Sequence, residues 1–96
     1  MKFKKLSESE LNEIINDMKG WKLNEGKLQK SFKFSNFIEA FSFMTRIALE
    51  AEKIDHHPEW SNVYDTVTIK LSTHDVGGIT EYDIKLANSI DRANSP

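Results

Sequence analysis

Cysteine is absent from the 96 residues. Disulfides, cysteine-based zinc sites and thiol nucleophiles are excluded together, and nothing suggests an oxidising compartment. Long apolar runs are absent as well: no stretch approaches the ~20 residues of a membrane span. The basic start, Met1 to Lys5, has no apolar run behind it and does not read as a signal peptide. A cytoplasmic or otherwise reducing location is the default expectation. Excess positive charge is also lacking. The formal charge of −2 argues against direct nucleic-acid binding through a basic surface. Lysines do gather in the first third (Lys2, Lys4, Lys5, Lys19, Lys22, Lys27, Lys30, Lys33), where a solvated sheet face and helix ends account for them. With only two prolines, four glycines and no repeat or low-complexity stretch, a single small domain over 1–96 is expected. Its balance of 39% hydrophobic and 29% charged residues is that of a folded soluble protein. So short a chain buries only part of its surface, which makes self-association unsurprising.

Ser7 with Glu10 fits a capping box, and Leu11, Ile14, Ile15 and Met18 follow at helical spacing, predicting a helix over 8–19 stopped by Gly20. Trp21 to Asn24 and Leu28 to Phe34 read as strands joined around Gly26. In the second, Leu28, Phe32 and Phe34 share one parity and Gln29, Ser31 and Lys33 the other. Lys30 breaks that alternation and suits an edge or a strand's exposed start. Asn36 with Glu39 offers a second capping box, opening the longest helix, about Phe37 to Asp55. Its apolar residues span more than one stripe: Phe37, Phe41, Met44, Ala48 and Ala51 form one row, and Phe43, Ile47 and Ile54 widen it. So broad an arc needs cover on two sides, the sheet on one and a partner subunit or neighbouring helices on the other.

Pro58 disfavours helix at His57 and marks its end. A strand at Asn62 to Tyr64, a turn near Asp65 and a strand over Val67 to Thr73 follow. Val67, Ile69 and Leu71 alternate there with Thr68, Lys70 and Ser72, so His74 should leave from the polar face. Gly77 and Gly78 turn the chain. Thr80 with Asp83 caps a last helix carrying Ile84, Leu86, Ala87 and Ile90, and the tail from Ala93 to Pro96 is expected to fray. The order α-β-β-α-β-β-α, with short turns inside each strand pair, predicts an α+β fold: a four-stranded antiparallel sheet with three helices packed on one face.

All three histidines fall within residues 52–83. Histidine's unperturbed pKa, ~6.5, lets it exchange protons near neutral pH. His56 and His57 sit at a helix terminus fixed by Pro58, and Glu52 lies four residues before His56. If the helix persists, Glu52 meets His56 on one face, and a carboxylate hydrogen-bonded to an imidazole orients the ring and favours its protonated form. Each group also has an ordinary structural account. The paired histidines suit a helix C-terminus, His74 a surface strand end, and Asp83 a helix cap. Trp60 and Tyr64 suit core or interface packing, and Glu52 a solvated helix face. A three-histidine metal site is the competing chemistry; adjacent histidines lack the i, i+4 spacing of helical metal pairs, so no metal is expected.

The constellation Glu52-x-x-x-His56-His57-Pro58, Tyr64, His74 and Asp83 resembles the signature of the pterin-4a-carbinolamine dehydratases. The resemblance extends to Gly20-Trp21, Phe41-x-Phe43-Met44-Thr45-Arg46, Ala51-Glu52-Lys53, His57-Pro58-Glu59-Trp60-x-Asn62-Val63-Tyr64 and Leu71-Ser72-Thr73-His74, and covers residues 8 to 92. It implies a hydro-lyase that dehydrates 4a-hydroxytetrahydropterin to quinonoid dihydropterin in tetrahydrobiopterin recycling, without metal or organic cofactor. It also implies a homotetramer built as a dimer of dimers. Some animal members are dimerisation cofactors of a homeodomain transcription factor, which implies a protein partner through the long helix as a second role. Service in another pterin-linked or molybdenum-cofactor pathway is a third reading. On this resemblance His56 and His74 are general acids on the two pterin faces, and His57 binds and orients the ring. Glu52 would orient His56, and Asp83 would support the site near His74 or only cap its helix. Ser72 and Thr73 would hydrogen-bond the pterin's polar edge, with Trp60 as a pocket wall.

Overall fold

The structure, a computed structural model, describes residues 4–94. Its elements run α1 (Glu8–Asn16), β1 (Lys22–Asn24), β2 (Lys27–Lys33), α2 (Phe37–Lys53), β3 (Glu59–Val63), β4 (Thr66–Leu71), a 3₁₀ turn (His74–Val76) and α3 (Glu81–Ala93). Every strand pairing is antiparallel, in the spatial order β1-β2-β4-β3. This is the expected α+β arrangement, with the three helices on one face of the sheet.

Each boundary has a local cause. Ser7 Oγ accepts from the Glu10 amide at 3.1 Å while Glu10 Oε1 accepts from the Ser7 amide at 2.9 Å, which completes the first capping box. The Ser7 amide is also the main reason that the Glu10 carboxyl titrates below its usual value. Helix α1 ends at Asn16, earlier than the predicted 19. The second predicted box is half formed: Asn36 caps Glu39 at 2.9 Å, but Glu39 Oε1 reaches Ser35 N rather than Asn36. The turn between β1 and β2 places Glu25 at φ 53° and Gly26 at φ 77°, the double positive φ of a two-residue hairpin. In the β3–β4 turn Tyr64 takes φ 51°, held by Asn62 Nδ2, which donates to the Tyr64 and Thr66 carbonyls. Strand β3 begins at Glu59, three residues before the expected Asn62. The predicted fraying falls partly outside the described residues, since 95–96 are not among them, and α3 itself runs through Ala93.

Cross-strand register assigns the two faces. Leu28 opposes Leu71, and Phe32 opposes Val67; all four side chains are buried against Phe43, Ile47, Leu86 and Ile90 of the helices. Full burial of each such side chain contributes about 1.5–3 kcal/mol, so this layer accounts for much of the fold's cohesion. The opposite parity, with Gln29, Ser31, Lys33, Thr68 and Lys70, stays wet. There Lys27 reaches Glu59 at 2.6 Å and, by that hydrogen bond, holds the Glu59 carboxyl below its usual value.

Lys30 corrects the sequence expectation. It occupies no edge: it opposes Ile69 in the middle of central strand β2 and shares the helix-side parity of Leu28 and Phe32. Its stem runs so close to Gly20, φ +88°, that a Cβ there would lie 2.8 Å from Lys30 Cε. The ammonium passes beside the rings of Trp21 and Phe32 and reaches the surface layer, donating to Asp91 Oδ1 at 2.7 Å and the Lys19 carbonyl at 3.0 Å. Asp91 Oδ2 also accepts from Trp21 Nε1 at 2.9 Å. A charged residue fits an apolar parity because its stem packs while its head finds a carboxylate.

Candidate active site

The residues singled out by sequence gather around two chain reversals: the stop of α2 and the start of α3. Helix α2 ends at Lys53, and Asp55 takes the left-handed φ of 50°. The Asp55 amide donates to the Glu52 carbonyl at 3.2 Å and the His56 amide to the Ala51 carbonyl at 3.1 Å. This crossed pair satisfies the last helical carbonyls and turns the chain sharply. Pro58 then keeps His57 extended.

That reversal overturns the expected pairing of Glu52 with His56. The helix does not persist to residue 56, so the i, i+4 geometry never forms. Instead His57 swings back, its Nε2 lying 2.8 Å from Glu52 Oε1 at an exposed position. His56 turns inward, and its Nε2 lies 2.6 Å from Oδ1 of Asp83, which is fully buried. Asp83 is therefore more than a cap, although it is one: its Oδ2 accepts from the Thr80 amide at 2.9 Å. It sits in the first turn of α3, where the helix dipole favours a carboxylate.

A third donor reaches Asp83. Thr73 Oγ1 donates to Asp83 Oδ2 at 2.8 Å and lies 2.7 Å from Thr80 Oγ1. The Thr73 side chain is thus enclosed and committed internally, unlike the half-buried Ser72 beside it. Thr73 also bridges back to Gly78, its amide donating to the Gly78 carbonyl at 2.7 Å. Strand β4 stops at Leu71, so His74 leaves from a 3₁₀ turn and not from a strand face; it is exposed, one residue beyond the buried network. Trp60 shares the helix-side parity, opposite Ile69 on edge strand β3, and is half buried against the core. Tyr64 lies at the hairpin tip, 61% exposed.

One ring nitrogen decides what this arrangement can do. His56 Nε2 is taken by Asp83, while Nδ1 has no partner among the described residues. No enclosed side-chain nitrogen or oxygen among the described residues goes unpaired, so Nδ1 must reach the surface of an otherwise buried ring. Such a ring, fixed at one nitrogen and open at the other, can pass a proton to a bound molecule without moving. Among the described residues no three His, Asp or Glu side chains converge to hold a metal ion. A groove of about 680 Å³ between α2 and α3 touches Glu52 and includes Arg46, Leu49, Lys53, Ser89 and Arg92; it adjoins the histidines rather than covering them.

Comparison with known proteins bears on this geometry. Residues 4–93 match the sequence profile described as Pterin 4 alpha carbinolamine dehydratase. The chain belongs to that family. A Prochlorococcus marinus relative is 56% identical over 91 residues, covering 95% of each chain, and one from Rhizobium rhizogenes is 50% identical over 95 residues, covering 97% of this chain and 94% of its own. Both carry the name "Putative pterin-4-alpha-carbinolamine dehydratase". A solved Brucella melitensis protein, named a transcriptional coactivator/pterin dehydratase, superposes with a TM-score of 0.93 at 44% identity, over 96% of this chain and all of its own. The side chains whose contacts sequence reasoning placed least well are Thr73, expected at the polar edge of a ligand but enclosed here, and Thr80. Thr80 was legible only as a cap, and nothing local signals that its hydroxyl meets Thr73 seven residues earlier. The pairing of His56 with Asp83 spans 27 residues and has no periodic signature.

Proposed function

We propose that this chain is a hydro-lyase that converts 4a-hydroxytetrahydropterin to quinonoid dihydropterin and water in tetrahydrobiopterin recycling, by histidine acid–base catalysis. The observation that carries the reading is His56, anchored at Nε2 by buried Asp83 with Nδ1 open. Hydroxide is a poor leaving group. A proton from an imidazolium reaches the 4a-hydroxyl, the C4a–O bond breaks with release of water, and the N5 lone pair forms the C4a–N5 double bond. The N5 proton then passes to a base, and the net loss is one water. A positioned acid supplies about 10²–10⁴-fold. His56 and His74 serve opposite faces of the pterin; His57, steadied by Glu52, binds and orients the ring; Trp60 walls the pocket and Ser72 meets the polar edge. The chemistry requires no cofactor.

Self-association and a protein partner form the second reading. Phe37, Ile38, Phe41 and Leu49 of α2 are exposed, Ile38 by 75%, and so wide an apolar face on one helix supports a tetramer built through α2 or a helical partner seated there. The Brucella neighbour's name includes coactivator. No helix among the described residues is long and apolar enough to cross a membrane, and the cysteine-free composition suits the cytoplasm. Sedimentation of the purified protein separates a self-tetramer from a species that assembles only with a partner.

The enzymatic test is stopped-flow absorbance of chemically generated 4a-hydroxytetrahydropterin with and without protein. Acceleration over the spontaneous rate, lost by about 100-fold in His56→Ala and reduced in His74→Ala, is the expected result. Equal rates with and without the folded protein would sink the assignment.

A further inference from the structure

Three groups hydrogen-bond to the buried carboxylate of Asp83 and a fourth, the Thr80 hydroxyl, stands behind one of them; their protons can be placed by elimination. A carboxylate oxygen only accepts, so the Thr73 hydroxyl, 2.8 Å from Oδ2, must spend its single proton there. The 2.7 Å contact between Thr73 Oγ1 and Thr80 Oγ1 then requires the Thr80 proton. Thr80 Oγ1, its proton committed, accepts from the Tyr82 amide at 3.2 Å. The Thr80 amide adds a further donor to Oδ2 at 2.9 Å. All four members, Thr73, Thr80, Asp83 and His56, are buried, so water does not compete for these bonds, and each donor polarises the next. Every arrow points toward Asp83. Its Oδ1 is left with one demand, a proton from His56 Nε2.

We propose that Thr73 and Thr80 are positioning residues for the reaction: a two-hydroxyl relay that holds Oδ2 of Asp83 so that Oδ1 is aimed at His56 and keeps a proton on His56 Nε2, leaving Nδ1 to exchange protons with substrate. The inference rests on the dehydratase reading for its kinetic part. Its structural part, the location of the ring proton, stands without it. Thr73 carries a second consequence. Its backbone leads directly into His74, so the residue that aims Asp83 at one histidine also sets the root of the other.

Thr73→Val keeps the shape and deletes the hydroxyl, whereas Thr73→Ser restores it. Residues that orient a histidine are worth about 10–100-fold where the ring ligates a metal, and a loss of about tenfold in kcat is expected for Thr73→Val, with KM within twofold. Thr73→Ser should return to within about threefold of the parent. In a His56→Ala background Thr73→Val should cost almost nothing further, because the relay then has no ring to aim. Nitrogen-15 NMR of the His56 ring, recorded without substrate where the ring is neutral, should show the Nε2–H tautomer in the parent and in Thr73→Ser. In Thr73→Val it should show a mixture. If the valine variant fails to fold, Thr73→Ala takes its place against Thr73→Ser. An unchanged tautomer with unchanged kcat would overturn the proposal, as would equal losses in the parent and His56→Ala backgrounds. An inactive parent that shows the expected tautomer change would remove the dehydratase reading and leave the relay standing.

Discussion

Helix α3 carries an aspartate near each end, and the two are used differently. Asp83, in the first turn, lies where the helix dipole welcomes negative charge; Asp91, near the last turn, lies where it does not. Asp83 is fully buried with three hydrogen bonds from side chains and one amide. Asp91 is 35% exposed and joins Lys30 and Trp21. Both carboxylates tie α3 to distant chain. Asp83 holds a histidine, a residue type that ordinarily exchanges protons near neutral pH. Asp91 joins a lysine and an indole far away in sequence, and that end of the molecule is a fastening. Two similar side chains eight residues apart thus differ in what they hold, a buried imidazole at one end and a lysine with an indole at the other.

Replacement of the two aspartates separates these uses most sharply. Asp83→Asn puts an amide donor against three groups that donate, and should cost about 3 kcal/mol in urea unfolding together with most of the dehydratase rate. Asp91→Asn keeps one acceptor for Trp21 or Lys30 and should cost about 1 kcal/mol or less, with kcat within twofold. Equal losses of rate at both sites would erase the distinction. A smaller effect is expected at Lys30. Lys30→Met keeps the stem that covers Gly20 and Trp21 while deleting the ion pair, so stability should move by less than about 1.5 kcal/mol in either direction; a loss beyond about 3 kcal/mol would make the ammonium itself the fastener.

The smallest expected effect lies at the far side of the molecule, in α1. The Glu10 carboxyl titrates below the usual glutamate value of 4.5, chiefly through the Ser7 amide. A lowered carboxyl contributes stability that is present above 4.5 and lost as pH falls through the folded value. Glu10→Gln should therefore flatten the acid side of the thermal-melt profile below pH 4.5 and leave the neutral side nearly unchanged. A parent and variant with parallel profiles would show that the capping box contributes no such linkage.

What sequence reasoning read well had a period or a fixed local spacing. Val67, Ile69 and Leu71 alternate, Thr80 and Asp83 cap, and the element order follows from such signals. Pro58 marked the end of α2 only approximately, since the helix expected to reach Asp55 stops at Lys53. What it missed depends on meetings across the fold. Lys30 resembled an edge residue because a charge at an apolar parity has no local explanation; its carboxylate lies 61 residues away. The pairing of Glu52 with His56 was extrapolated from helical geometry across a stop that the left-handed Asp55 makes abrupt. The histidines themselves were legible by composition and adjacency. Which acid holds which ring was not, since that is decided by a backbone reversal and by the docking of α3.

The same reversal ties the histidines to the length of α2. Ala40, Phe43, Ile47 and Ala51 hold one face of this helix against the core, and Ala51 is also the residue whose carbonyl receives the His56 amide. A residue inserted or deleted between Ala40 and Ala51 would turn everything downstream by ~100° and carry both imidazoles away from Asp83 and Glu52. At the Asn36 end the same change would leave the phase of the core face and of both rings intact. Variation in chain length should therefore be tolerated at the entrance of α2 and rejected through its second half, where core packing and the two histidine–carboxylate contacts share one register.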